Sequence, residues 1–461
     1  MPLIQSHITS ESIDTVLELP AKKIRVGMIL DQPFPHDSRV EREAVTLVKS
    51  GYAVHLLCVY PDNSVLQAKS LKTADKTFKA EEVSHYRGIT VHWVNPNQVS
   101  VQLPLIKKPT KLLHQGLFKT LFYRLKAIDT VWHTLIHRFV QQAGIQILHV
   151  HDLRLAVTCQ NIAGYYQLPC IVDLHENYPA LMALLKGKRD AQKGLRAQKR
   201  WEAIENRCLQ EVTHAITVAP EAKKRLVEKG IASEKITVIE NTVDMAKFLA
   251  APVNQEIVRQ FKPYFVLTYV GHINNMHRGI HTIIEALALL RREIPEIRFI
   301  AAGAARPEYL EDLEARVRFH HLDALVHFTG PIDEMDFVSY IEASDICICP
   351  HLANPHTNAT FPNKVYLYNL FKKPVIASDA VPLKRYIENT GGGLTYPSGR
   401  VEELAKIIRH LHQRSDLRRE LGQNGHKAVL ESYNWQYTAG DLLALYKAIS
   451  NRTVAAATHS D

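Results

Sequence analysis

Two short turns hold most of the ionisable residues whose spacing suits chemistry. His149-Val150-His151-Asp152 closes one apolar run, and Asp173-Leu174-His175-Glu176 closes another. Imidazoles beside carboxyls can move protons near neutral pH and orient hydroxyl groups. Strand alternation puts His149 and His151 on one face, so both are candidates, with His151 nearer the strand end. Glu176 is placed to orient His175 or to bind hydroxyls. The alternatives are a core histidine bonded to backbone and a glutamate that caps the next segment.

A second constellation suits phosphate. Arg278-Gly279 opens a helical pattern directly after the apolar run Phe265 to Val270. A cation at a helix N-terminus is unfavourable unless an anion is bound there. Further on, Pro362-Asn363-Lys364 reads as a polar turn with a helix start, since Pro suits the first turn and Asn suits a cap. An apolar helix follows over Val365–Phe371, Lys372-Lys373-Pro374 ends it, and Val375-Ile376-Ala377 is a buried strand. A helix start at the open end of a parallel sheet is where a phosphate or sugar ligand sits, because unpaired N–H groups point there. Alone, this stretch also fits an ordinary helix–strand connection.

The elements that would position these residues are legible in the hydrophobic pattern. Ile24 to Leu30 is a strand, Ser38 to Glu41 matches a capping box, Gly51 stops the helix, and Ala53 to Val59 is the next strand. Strand, capped helix and strand make a βαβ unit, and a parallel sheet follows. Further strands are expected at Ile89–Val94, Ile145–Val150, Ile171–Asp173 and Ala215–Val218. A second α/β unit holds strands at Phe265–Val270, Ile297–Ala302, Val326–Gly330 and Ile346–Cys349. Between the two lies a stretch, about 249–262, that reads as a linker. Residues 61–98 contain a polar insertion before the Ile89–Val94 strand. Leu103 to Val140 is basic and amphipathic: Leu117, Leu121, Phe122, Leu125 and Ile128 approximate one apolar face. It is either an interfacial helix on a membrane or a core helix with a basic outer face.

Composition excludes several classes. The 461 residues are 46% hydrophobic and 22% charged, ample for two or three folded domains and unlike a disordered or fibrous chain. Six cysteines lie scattered inside apolar runs, the pattern of reduced, buried thiols in a cytosolic protein. Cys347-Ile348-Cys349 lacks zinc-site spacing. No signal peptide and no membrane-spanning run are recognised. The net charge of +9 implies attraction to phosphates, nucleic acid or an anionic membrane face. No nucleic-acid module is recognisable, so nucleic acid is not expected as a partner.

The stretch ATFPNKVYLYNLFKKPVIASD, Ala359 to Asp379, resembles the donor-site helix of the family 4 retaining glycosyltransferases, which have the two-domain GT-B fold. The resemblance runs from about Lys23 to Ile449 through DSRVEREAVTLVKSGYAVHLLC, the HVHD and DLHENYP turns, and IENTVD. It implies two Rossmann-like parallel-sheet domains facing across a cleft. The expected organisation is a flexible tail over 1–22, an acceptor domain over 23–248, a linker over 249–262 and a nucleotide-sugar domain over 263–430. A helix over 431–450 crosses back, and 451–461 is a tail. The implied catalytic residue is His151, with His149 as the other candidate. The implied donor contacts are Arg278, His272, Gly279, Pro362, Asn363, Lys364, Tyr366, Asn358 and Arg39. Asp173, His175 and Glu176 are expected toward the acceptor or behind the catalytic group.

The sequence departs from the family at its acidic pair. In register, the E-x7-E glutamates fall on Ala359 and Leu367, and the usual Gly falls on Lys372. No DxD-like metal pair stands in a convincing place, so no metal and no cofactor beyond the nucleotide sugar as substrate are expected. The implied activity is transfer of a sugar from a nucleotide sugar to a glycan or lipid-linked acceptor, in the cytoplasm, with an anionic membrane surface and a partner glycosyltransferase as further candidate partners. The alternatives are a catalytically degenerate GT-B protein that supports a partner glycosyltransferase, and, more weakly, a nucleotide-sugar epimerase-like enzyme.

Overall fold

The computed structural model describes residues 23–35, 37–60, 81–95, 116–187 and 190–458. The chain divides into two compact units, 1–149 with 162–169 and 452–461, and 150–161 with 170–451. The expected terminal tail 1–22 and most of the polar insertion lie outside the described residues, as do the side chains of the apolar face at Leu117–Ile128.

The first unit is built on β1 (Arg25–Pro33), β2 (Ala53–Val59), β3 (Glu81–Tyr86) and β4 (Ile89–Val94). They bond in the order β3-β4-β2-β1, parallel except for β3, which runs antiparallel to β4. Apolar residues on both faces of β1 and β2 fit a sheet covered on both sides. The capping box expected at Ser38 is not what forms. Asp37 is the N-cap: its carboxylate accepts from the Arg39 and Val40 N–H groups, and Ser38 becomes the first helical residue. Glu41 instead accepts from Tyr86 Oη at 2.7 Å and pairs with Arg87 at 3.0 Å. A carboxylate one position earlier is a better acceptor than the Ser hydroxyl, so the helix begins there.

β5 (Ile147–His151) passes from the first unit to the second. The second unit continues with β6 (Cys170–Leu174), β7 (His214–Thr217) and β8 (Ile236–Val238), a parallel run. It also holds a six-stranded parallel sheet: β9 (Phe265–Val270), β10 (Ile297–Ala302), β11 (Val326–Phe328), β12 (Ile346–Cys349), β13 (Val375–Ser378) and β14 (Gly393–Tyr396). Its order is β11-β10-β9-β12-β13-β14. Every residue of β9 and β12 is buried, and apolar clusters fill both faces of this sheet. Gln255–Phe261, inside the stretch read as a linker, is a short helix capped by Asn254. The last helix is Trp435–Thr458. All six cysteines are free and buried. No helix among the described residues is long and apolar enough to cross a membrane.

Candidate active site

The six-stranded sheet changes direction between β9 and β12. From β9 the chain moves to β10 on one side; from β12 it moves to β13 on the other. Open α/β sheets bind ligands beyond the carboxyl ends of the strands at such a point. The chain leaves β9 through Gly271, at φ +107°, makes a single tight turn over Met276–Arg278, and enters the helix Ile280–Leu290 through Gly279 at φ +71°. A Cβ on Gly279 would collide with the Pro350 carbonyl oxygen, so glycine is required both by its conformation and by its neighbour. The Leu352 N–H donates to the His277 carbonyl at 2.8 Å, which ties the two strand-end loops together.

Two cations point into this crevice. Arg278 places Nη1 3.2 Å from His351 Nε2. His351 is buried, and burial, then Arg278 and Lys364, hold its pKa well below the usual value. Its neutral ring therefore accepts from the guanidinium. Lys364, the first residue of the helix Lys364–Leu370, sets its ammonium 3.6 Å from the centre of the Tyr269 ring. A Cβ on Gly271 would come within 2.9 Å of Lys364 Nζ, so this glycine leaves room for the ammonium. Burial, then the charge of Arg278, push the Lys364 pKa well down. Among the described residues, neither Arg278 nor Lys364 has a carboxylate within ion-pair distance. His272 is exposed on the rim, and its pKa is lowered by partial desolvation and then by the same two cations. The crevice is thus positive, lined by neutral imidazoles, and opposed by little negative charge of its own.

A second cluster is built at the ends of β5 and β6. Asp173 is buried, with Oδ2 2.9 Å from His175 Nε2 and 3.4 Å from His151 Nδ1. His151 Nδ1 and His175 Nε2 are 3.3 Å apart. Asp152, at φ +66°, donates its N–H to the Asp173 carbonyl at 2.8 Å and sets a carboxylate oxygen 3.8 Å from His175 Nδ1. One carboxylate therefore steers two imidazoles, an arrangement that fixes ring orientation.

Glu176 joins the two clusters. Its Oε2 lies 3.9 Å from Nε2 of His356, on the loop after β12. Burial first, then the charge of Asp152, push its carboxyl pKa up to about 7, against the pull of His175 and Arg278. Burial and then Arg278 lower His356 to about 4. Next to it, Asn177 accepts from the Ala180 N–H with its Oδ1, at 3.3 Å, and donates from Nδ2 to the Pro355 carbonyl at 2.9 Å. One side chain thus caps a helix start and docks it on the β12 loop.

The remaining expected site residues divide. Pro362 and Asn363 precede Lys364 at the helix start, though the Asn363 side chain makes no capping bond. Tyr366 is not at the cations. It is buried in an aromatic cluster, stacked on Phe361 at 4.4 Å, with Tyr386 and Tyr433 also against it. Asn358 accepts from the Val381 N–H at 3.1 Å and so caps the helix Val381–Thr390. Ala359 and Leu367 are both buried. In the first unit, Arg39 is buried and paired with Glu43 at 3.0 Å, and His149 Nε2 lies 3.9 Å from the same carboxylate. His351, Asn177 and Tyr269 were not anticipated. The same rule that found Arg278 covers His351, since it stands just past the carboxyl end of β12.

Two family models match the chain: Glycosyltransferase Family 4 over residues 38–247, and Glycosyl transferases group 1 over 252–428. Among solved structures, sucrose-phosphate synthase from Thermosynechococcus elongatus aligns with a TM-score of 0.69 at 17% identity, covering 93% of this chain and 100% of that one. The chain has the GT-B fold. Anabaena HepE in complex with UDP aligns with a TM-score of 0.62 at 14% identity, covering 93% of this chain and 100% of that one. In sequence, the chain is similar to a D-inositol 3-phosphate glycosyltransferase of Jonesia denitrificans, 27% identical over 46% of this chain and 51% of that protein. It is also similar to a phosphatidyl-myo-inositol mannosyltransferase of Propionibacterium freudenreichii subsp. shermanii, 19% identical over 68% of this chain and 72% of that protein. The chain spans about half the length of the first curated relatives it matches.

Proposed function

We propose that this GT-B protein transfers a sugar from a nucleotide-sugar donor to a glycan or lipid-linked acceptor. The observation that carries the reading is the pair Arg278 and Lys364, two cations without a carboxylate partner at the β9/β12 switch point. A departing nucleoside diphosphate needs its growing charge met in a water-poor site, and fixed cations beside helix-start N–H groups do this. His151, steered by Asp173, is the imidazole offered to the reacting sugar or the incoming hydroxyl. Retention of configuration and independence from metal belong to the proposal through the family 4 resemblance. UDP bound to the structurally similar HepE supports a nucleotide as the ligand. A lipid-linked acceptor would bring the protein to the cytoplasmic face of a membrane, where the basic 103–140 segment would meet anionic lipid.

One observation favours a second reading, a catalytically degenerate partner of another glycosyltransferase: apolar, buried Ala359 and Leu367 stand where the family carries its glutamates. A binding screen of the purified protein against UDP-, GDP-, ADP- and dTDP-sugars separates the two. Binding of any of them supports the enzyme. No binding at millimolar concentration by well-folded protein overturns it and favours the partner.

A further inference from the structure

The cation crevice explains how a diphosphate is held, and the group that distinguishes one sugar from another is still to be assigned. Arg278 and Lys364 have no acceptor to offer a hydroxyl. The lowered pKa values of His351, His272 and His356 leave neutral rings, and His351 is already engaged by Arg278. A sugar ester presents several hydroxyls next to the phosphate, and a site that discriminates among sugars must pair at least one of them.

One carboxyl is delivered to this place by the packing. The segment after β6 is docked on the β12 loop through Asn177 and Pro355. That contact brings Glu176 to the edge of the crevice, 3.9 Å from His356 Nε2 and close enough to Arg278 to feel its charge. A carboxyl there is too far from His356 for a direct hydrogen bond, so its oxygens keep capacity for a ligand hydroxyl. We propose that Glu176 is the residue that recognises the donor sugar, accepting a hydrogen bond from a hydroxyl of the hexose whose diphosphate lies on Arg278 and Lys364. This rests on the nucleotide-sugar reading above and adds the sugar-selecting group to it.

The protonation of Glu176 follows from its neighbours. Asp152 from the end of β5, His175 from its own loop, Arg278 from the β9 loop and His356 from the β12 loop are the titratable or charged groups that face it. In the free protein the carboxyl is half protonated near pH 7. A diphosphate on the adjacent cations adds negative charge and drives it further toward the neutral form. In that form it can both donate to and accept from hydroxyls. Binding of a sugar diphosphate then takes up a proton, and affinity falls as pH rises through 7. The diphosphate of a nucleotide sugar has no ionisation of its own in this range, so the step reports the protein.

The test is calorimetry with four pairs: UDP and UDP-glucose, GDP and GDP-mannose, ADP and ADP-glucose, dTDP and dTDP-glucose. The pair that binds is carried to Glu176→Ala and Glu176→Gln at pH 6 and pH 8. Glu176→Ala is expected to weaken the sugar ester by about tenfold, the upper range for a hydrogen bond between neutral groups, and to leave the free nucleoside diphosphate within about threefold. Glu176→Gln keeps most of the ester affinity and shows a smaller pH step. An unchanged ratio of ester to diphosphate affinity in Glu176→Ala overturns the inference, as does an equal loss of both ligands. If wild-type protein binds neither member of any pair, the donor reading itself fails and the inference with it.

Discussion

Lys364→Met should make the free protein more stable and its nucleotide binding weaker. The ammonium is buried, faces Arg278 as a like charge, and has no carboxylate partner among the described residues. Removing an ion from water costs several kcal/mol or more. The Tyr269 ring, 3.6 Å away, returns about 2 kcal/mol as a desolvated cation–π contact. The balance leaves the free protein destabilised by roughly 1–3 kcal/mol. Methionine keeps the unbranched stem and fills the same channel without charge. Thermal unfolding without ligand should therefore shift up by about 2–6 °C. With a diphosphate bound, the ammonium has its counter-charge, and losing it should cost about 1.5–3 kcal/mol, or about 10- to 150-fold in affinity by calorimetry. The pH dependence has a defined sign. The folded-state pKa lies below the ordinary value of 10.5, so the destabilisation is present below the folded pKa and fades as pH rises from there toward 10.5. The gain in Lys364→Met over wild type should shrink in the same direction. A variant that melts several degrees below wild type without ligand, or binds nucleotide as wild type does, would refute the reasoning.

Other perturbations test the remaining parts. Arg278→Ala should weaken nucleotide binding by about 1.5–3 kcal/mol; unchanged affinity by calorimetry removes Arg278 from the site. His151→Ala should abolish transfer or donor hydrolysis while changing nucleotide affinity less than about threefold; retained turnover in a radiolabelled-donor assay counts against its role. Leu367→Glu alone should not raise activity, because Ala359 and Lys372 depart from the family pattern with it and the site is built around an apolar residue; turnover above wild type in the same assay counts against this.

Long apolar strands were legible. β9, β10 and β12 begin and end where the hydrophobic runs do, because a strand buried on both faces needs an unbroken run. β3 was not, since EEVSHY lies in a polar stretch and becomes a strand only by pairing antiparallel with β4. The start of the first helix was misread by one residue, as two adjacent side chains could cap it and only the fold selects Asp37. At the site, Arg278 and Lys364 were legible from their places at helix starts beside strand ends. Their neighbour His351 was passed over, although it stands just past the carboxyl end of β12, because the helix start that marks Arg278 and Lys364 is missing there. Tyr366 shows why a helix of seven residues is hard to read: all seven are buried, so spacing does not say which face meets a ligand.

The burial of that helix also bears on the lost acidic pair. The position of Leu367 is apolar and buried, about one helical turn after Lys364. In this chain the helix therefore contributes charge only through its first residue, Lys364. A carboxyl that feels the charge of Arg278 comes instead from the segment that Asn177 docks on the β12 loop. Moving the acid from the helix to Glu176 changes its chemistry as well as its origin. An acid beside Asp152 and partly withdrawn from water titrates near 7, so its charge depends on what occupies the crevice. The pocket is most positive when Glu176 is protonated, which is the state a bound diphosphate favours. Charge and ligand then reinforce each other, and this coupling is what would let a site whose two cations have no carboxylate partner among the described residues hold a nucleotide sugar without the glutamates its sequence lacks.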